Sequence, residues 1–282
     1  MNLLRSLILA ALIGGLLTPP PLAAQASATD STRVIARPAP IVTAGDLGWL
    51  ALTVGVATVA QRADAAARRE VRGASAQASG TLNALADIGN GWGDPSVVVV
   101  GVALWGGGLY ARNETVAAVG LRAIEAITVS SVVTKLLKGA FGRARPRVSP
   151  TDPWDVKFGR GFDSNDFESF PSGHSTAAFA FAAAVTSEVA HRAPQHARLV
   201  GVATYTLAAG TAYARMYRDA HWLSDVTMGA GIGIVGGLAV TRWHATRPGN
   251  RPDAILLKPA LRPIIAPAPM GGTNVGVSYT WP

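Results

Sequence analysis

The stretch Ala214-Arg215-Met216-Tyr217-Arg218-Asp219-Ala220-His221-Trp222-Leu223-Ser224-Asp225 stands between two apolar runs, Leu199–Ala214 and Trp222–Thr241. Both runs have helical length and pattern, so the polar stretch reads as a joint between helices. Asp225 follows His221 by four residues, and on a helix such positions share a face. The spacing therefore predicts that Asp225 reaches one ring nitrogen of His221 and leaves the other free to attack. An oriented histidine with Arg215 nearby suits nucleophilic attack on an anionic phosphorus centre. A buried His–Asp pair is also a common structural hydrogen bond, so its company decides.

Working outward, more helical runs appear. Ser96–Tyr110, Thr115–Leu137 and Ser175–Ala190 are apolar, and Leu47–Ala60 is apolar but short. The predicted fold is all-α: a bundle of about five or six apolar helices, membrane-embedded, with a short C-terminal β-hairpin through Gly271-Gly272-Thr273-Asn274. A flexible tail is the alternative for that last segment. The composition agrees, with 49% hydrophobic and only 15% charged residues, where soluble domains carry about a quarter charged. Runs of 15 to 20 residues rich in Ala and Gly fit tightly packed spans or buried helices of a soluble bundle. Arg122 and Glu125, three apart inside one run, have to pair within the bundle if that run is a span.

The segments divide the chain into residues 1–26, 27–94, 95–245 and 246–282. The first reads as a signal peptide. It has a basic start at Met1–Arg5, an apolar run at Ser6–Leu17, a break at Thr18-Pro19-Pro20-Pro21, and a small-residue cleavage site at Ala24-Gln25-Ala26. An uncleaved anchor is the alternative. Residues 27–94 read as a linker followed by helices, and Gln61–Gly73 as a charged, solvated helix face. Residues 95–245 form the helical bundle, and 246–282 a Pro-rich tail.

With the N-terminus outside, Leu47–Ala60 not spanning and the other five runs crossing, Arg112, the segment His191–Arg198, Arg242 and Arg247 fall on the cytoplasmic side. The ends near Lys138, Pro171, Arg215 and His221 then share the outer side. This places the protein in a bacterial inner membrane with its site facing the periplasm; the alternative is a soluble periplasmic protein. The net charge of +8 points to an anionic substrate or membrane surface. No basic stripe interleaved with aromatics points to nucleic acid. The absence of cysteine excludes disulfides and thiolate metal sites.

Three clusters at helix ends carry the chemistry: Lys138-Gly139-Ala140-Phe141-Gly142-Arg143-Ala144-Arg145-Pro146, Pro171-Ser172-Gly173-His174, and Arg215 with His221 and Asp225. A transferring phosphoryl group spreads charge over three oxygens, which fixed cations stabilise. Lys138 supplies a point charge, and Arg145 and Arg215 planar forks. Ser172 and Gly173 open a helix, whose free N–H groups favour an anion. His174 is placed to protonate the leaving oxygen. His221 attacks, and water then hydrolyses the phosphohistidine. No metal or other cofactor is called for. Arg143, Arg147 and Arg218 read as solvated or loop charges, and His191, His196 and His244 as surface residues. The loop from Arg147 to Phe170, with Trp154, Phe158 and Phe162, is expected to shape the entrance.

The order and spacing of the three clusters resemble the type 2 phosphatidic acid phosphatase superfamily, which groups lipid phosphate phosphatases, class A acid phosphatases and vanadium haloperoxidases. The resemblance implies His221 as nucleophile, Asp225 as its partner, His174 as acid, and Lys138, Arg145, Ser172, Gly173 and Arg215 as phosphate ligands. It departs at Ala214, where the family's third motif usually has Ser. The implied activity is a metal-independent phosphatase acting on a phosphorylated lipid. The alternatives are an acid phosphatase acting on small phosphomonoesters, a haloperoxidase, or an inactive lipid-binding membrane protein.

Overall fold

A computed structural model of the chain describes residues 40–93 and 95–257, together with the backbone of 261–267 and 273–279. The expected signal peptide (1–26), the linker residues before 40 and the Gly271-Gly272 turn lie outside the described residues.

The described helices are α1 (Ala44–Gln61), α2 (Asp64–Arg72), α3 (Ala74–Gln77), α4 (Gly80–Trp92), α5 (Ser96–Tyr110), α6 (Glu114–Phe141), α7 (Gly173–Arg192), α8 (Pro194–Tyr217), α9 (Leu223–Ala245) and α10 (Arg251–Leu256). Strands β1 (Leu261–Pro267) and β2 (Thr273–Tyr279) pair antiparallel, Leu261 opposite Tyr279 and Pro267 opposite Thr273. The all-α bundle with a C-terminal hairpin is therefore observed. Thr273 and Asn274, expected in the turn, belong to β2. The tail is also less irregular than its Pro content implied. Asn250 caps α10 by accepting from the Asp253 amide at 3.0 Å, and Pro252 sits in the first turn, where a missing N–H costs nothing.

Helices α6 to α9 form the centre, with α7 packed on α6, α8 and α9. The contact between α7 and α9 is unusually close because α9 presents glycines at four-residue spacing. A Cβ at Gly229 would lie 2.5 Å from the Ser172 carbonyl oxygen, and one at Gly233 would lie 2.4 Å from that of Thr176. Small residues on facing helices let the backbones approach in this way; α7 meets these glycines with Ser175, Thr176, Ala180 and Ala183, all buried. The alternating directions of α6 to α9 bring the end of α6, the start of α7, the end of α8 and the start of α9 together at one end of the bundle.

The segment before Ser96 shares this core. Ala67, Val71, Leu82 and Ala86 pack in one cluster with Phe179, Ala208 and Ala212. Helix α2, expected to be a solvated charged face, is turned inward at several points. Asp64 is buried, Arg68 bonds Asp219 at 2.7 and 2.8 Å, and Arg72 donates to the Tyr217 carbonyl at 3.0 Å. Their partners are remote in sequence, Arg143 and Ser224 for Asp64, Asp219 for Arg68 and Tyr217 for Arg72, which a helical charge pattern cannot reveal.

At the opposite end, Arg122 is buried and pairs with Glu125 at 3.0 Å, as expected for an ion pair inside a bundle. It also bonds Asp253 of α10. His244, expected at the surface, is buried in the same cluster, with Nε2 2.9 Å from Glu125. His191 and His196 are exposed. Of the five expected spans, α6 and α9 are long and apolar enough to cross a membrane, and α5 is apolar but shorter.

Candidate active site

Each motif is delivered by a helix terminus. Helix α6 ends at Gly142, whose φ of +55° is left-handed and whose added Cβ would strike the Lys157 carbonyl oxygen at 2.2 Å. Only glycine turns the chain here without strain, and the turn carries Arg143 and Arg145 back beneath the bundle. Ser172 caps α7, and Trp222 and Asp225 open α9, where the Asp225 carboxylate accepts the Trp222 amide at 2.8 Å. A carboxylate at the third helical position reaching back to the cap satisfies a donor the helix cannot.

These termini enclose a cavity of about 440 Å³ whose wall includes Lys138, Arg145, Gly173, His174, Arg215 and His221. The structure thus brings six of the eight expected site residues to one space. Asp225 lies directly behind it, fully buried. Ser172 does not line the cavity: its side chain is buried in the helix cap, accepting from Ser175, and its amide donates to the Asp225 carbonyl at 3.0 Å. That amide bond ties the start of α7 to the start of α9. The exposed Trp154, Phe158 and Phe162 are likewise absent from the wall, which the loop supplies instead through Arg147, Asn165 and Glu168.

The His221–Asp225 relationship differs from the helical one expected. His221 precedes α9, and its Nδ1 lies 2.7 Å from the Ser169 carbonyl oxygen but 3.7 Å from Asp225 Oδ2. A carbonyl only accepts, so Nδ1 carries the proton and Nε2 keeps its lone pair. That Nε2 faces Arg145, whose Nη1 is 3.4 Å away. Asp225 acts one step back: its Oδ2 accepts the Ser169 hydroxyl at 2.6 Å and its Oδ1 accepts from Arg143 at 2.5 Å. Burial holds His221 well below its ordinary pKa, keeping the ring neutral; the neighbouring charges of Lys138 and Arg145 add to this, and Asp225 opposes it.

Arg143 is the clearest correction. Expected as a solvated charge, it is buried between Asp225 and Asp64, with Nη2 2.7 Å from Asp64; burial disfavours its charge, but the two carboxylates outweigh that and hold it protonated, above its ordinary range. Arg147 and Arg218 do lie at the surface, paired with Asp166 and Asp87. Arg145 is held by Asn165 and by the Ala220 carbonyl. Lys138 donates to the Glu168 carbonyl at 2.5 Å. Arg215 donates to Asn90 of α4 at 2.5 Å, and its buried Nε has no partner among the described residues. His174 faces the cavity from the first turn of α7. Its ring is covered by Gly93, where a Cβ would come within 2.4 Å, and it makes no hydrogen bond among the described residues.

Three cations, a neutral histidine with an available lone pair, and a second histidine with no hydrogen-bond partner among the described residues form a pocket suited to an anion such as a phosphoryl group. The comparisons with known proteins agree with that class. Residues 119–248 match the model of the PAP2 superfamily, the family that the motif spacing resembles. A 100-residue stretch is 36% identical to a lipid A 1-phosphatase of Porphyromonas gingivalis, covering 36% of this chain and 18% of that protein. The chain thus matches less than a fifth of that relative's length. The crystal structure of a transmembrane PAP2-type phosphatidylglycerolphosphate phosphatase from Bacillus subtilis shares the fold, with a TM-score of 0.56 at 20% identity over 73% of this chain and 98% of that one.

Proposed function

We propose that this protein is a metal-independent phosphatase that removes a phosphate group from a membrane lipid through a phosphohistidine. One observation carries the reading: the unprotonated Nε2 of His221 opens into a cavity walled by Lys138, Arg145 and Arg215, with His174 in the same wall. Nε2 attacks phosphorus while the cations hold the equatorial oxygens. The P–O bond to the leaving group breaks, and His174 protonates the departing oxygen. His174 then takes a proton from water as the water attacks phosphorus. The N–P bond breaks, inorganic phosphate leaves, and His221 is restored. The cationic wall does the work a divalent metal does elsewhere, and it repels such an ion.

The surface supports a lipid environment. On α6, Val129, Val132, Val133 and Leu136 form an exposed stripe at helical spacing, and Val99 and Val102 of α5 and Leu199 and Val202 of α8 are also exposed. Apolar surface of this extent marks a membrane or partner contact. Trp154, Phe158 and Phe162 are exposed at the end that holds the site, as aromatic residues are at a membrane boundary. Arg112, Arg198 and Arg247 sit at the other end, which the positive-inside tendency assigns to the cytoplasm, so the site faces the periplasm. The names of the two relatives make lipid A and phosphatidylglycerolphosphate substrates to try first, beside phosphatidic acid.

The test is phosphate release by the membrane fraction from these lipids and from a soluble aryl phosphate, with a chelator present. Expected is release that vanadate inhibits and that His221→Ala abolishes; metal dependence or full activity of that variant refutes the reading. A soluble periplasmic phosphatase is the second reading, favoured by the burial of most of α9 within the protein. Release of the active protein by osmotic shock selects it.

A further inference from the structure

The support for His221 reaches outside the PAP2-matched residues. Asp64, the first residue of α2, accepts from Arg143 Nη2 at 2.7 Å. Arg143 Nη1 donates to Asp225 Oδ1 at 2.5 Å, Asp225 Oδ2 accepts the Ser169 hydroxyl at 2.6 Å, and the Ser169 carbonyl accepts His221 Nδ1–H at 2.7 Å. Every residue in this chain is buried, from Asp64 at 1% exposure to His221 at 3%. Asp64 also accepts the Ser224 amide at 2.8 Å and its hydroxyl at 2.6 Å, which fixes the start of α9. The Pro153 carbonyl accepts from Arg143 Nε and Nη2 at 3.0 and 2.6 Å, so the guanidinium is fully committed.

A single buried guanidinium between two carboxylates leaves a net negative charge on the trio. With Asp64 sharing Arg143, Asp225 keeps anionic character toward Ser169 and His221. Without it, Arg143 neutralises Asp225 alone, and the ring faces Lys138 and Arg145 uncompensated. The ring becomes cationic when Nε2 bonds to phosphorus, so that loss is felt at the reacting stage rather than in binding. We propose that Asp64 is a positioning residue for His221, acting through Arg143 and Asp225, and that α2 therefore completes the active site rather than only covering it.

The kinetic test rests on the phosphatase reading. In the full-length protein in detergent, D64N is expected to lower kcat by roughly 10–100-fold, the range for residues that orient a reacting group from behind. KM is expected to stay unchanged, since Asp64 touches no part of the cavity. On a D225N background, D64N is expected to cost little more, because both act on one charge. V71A, which loosens the same helix without touching the polar chain, is expected to lower Tm and leave kcat unchanged. An unchanged kcat in D64N, or losses that multiply in the double variant, overturns the proposal. If D64N does not fold, R143K carries the same test, since an ammonium group cannot hold both carboxylates in the same geometry. If the wild type releases no phosphate from any substrate, the phosphatase reading fails and 15N NMR of the His221 ring decides the positioning role. The proton is then expected on Nδ1 in the wild type and shared between both nitrogens in D64N; identical spectra overturn it.

Discussion

Ser169 holds His221 through its backbone: its carbonyl oxygen accepts the Nδ1 proton at 2.7 Å. The ring tautomer is thus set by a main-chain atom, and the charge that stabilises it is passed on by the Ser169 hydroxyl from Asp225. Ser169→Ala keeps the carbonyl and removes the relay. The expected result is a fall in kcat of about tenfold at unchanged KM, read from steady-state phosphate release. A variant with wild-type kcat would show that the carbonyl alone suffices.

His174 makes no hydrogen bond among the described residues and has a place in the cavity wall, so its role is separable by chemistry. A general acid matters when the leaving oxygen is basic and little when it is not. His174→Gln is expected to slow hydrolysis of an alkyl phosphate by roughly 10²–10⁴-fold, and that of a nitrophenyl phosphate far less. Equal losses on both substrates would assign His174 to binding.

Burial of neutral His221 also makes a stability prediction. Its folded pKa lies well below the ordinary value of 6.5, so below pH 6.5 the unfolded chain binds a proton that the folded chain excludes. Stability is therefore full above that pH and falls as pH drops toward the folded pKa, by at most about 1.4 kcal/mol per pH unit for one group. Thermal unfolding in detergent between pH 4 and 8 is expected to show a shallower acid fall in His221→Gln than in the wild type.

The glycine stripe on α9 sets how closely α7, which bears His174, approaches α9, whose start follows His221. Gly233→Ala puts a methyl group 2.4 Å from the Thr176 carbonyl oxygen and is expected to cost about 1–3 kcal/mol as overpacking, seen as a lower Tm. Gly210→Ala on α8, where an added Cβ meets nothing within 4 Å, is expected to raise it slightly. A neutral Gly233→Ala would mean that α7 and α9 slide apart freely.

The parts of the site legible in the sequence are those whose chemistry resides in side chains at helix ends with fixed spacing: Lys138, Arg145, His174, Arg215, His221 and Asp225. What was missed depends on other physics. Ser169 works through a carbonyl that every residue has, so no residue type advertises it. Asp64 lies 79 positions from Arg143 in a charge-rich segment, and only folding turns that pair inward. Arg143 looks no different from Arg147 in a loop of basic residues, though one is buried and the other exposed. The helical length of the apolar runs was plain. Their sidedness was harder to read, because helices such as α7 and α9 are apolar on nearly every face.

The Ala214 departure from the family motif has a local explanation that can be tested. Ala214 is fully buried against α4, where a Cβ on Gly89 would come within 3.1 Å of its methyl group. The next residue of α4, Asn90, accepts from Arg215 at 2.5 Å. The orientation that a neighbouring hydroxyl would give Arg215 is supplied here by Asn90. Ala214→Ser is therefore expected to leave kcat/KM essentially unchanged. Asn90→Ala frees the guanidinium while leaving its charge in place, and is expected to raise KM roughly tenfold, a loss of about 1.4 kcal/mol in binding, with a smaller effect on kcat. A gain of activity in Ala214→Ser together with a silent Asn90→Ala would reverse the assignment and make the missing hydroxyl a true deficit.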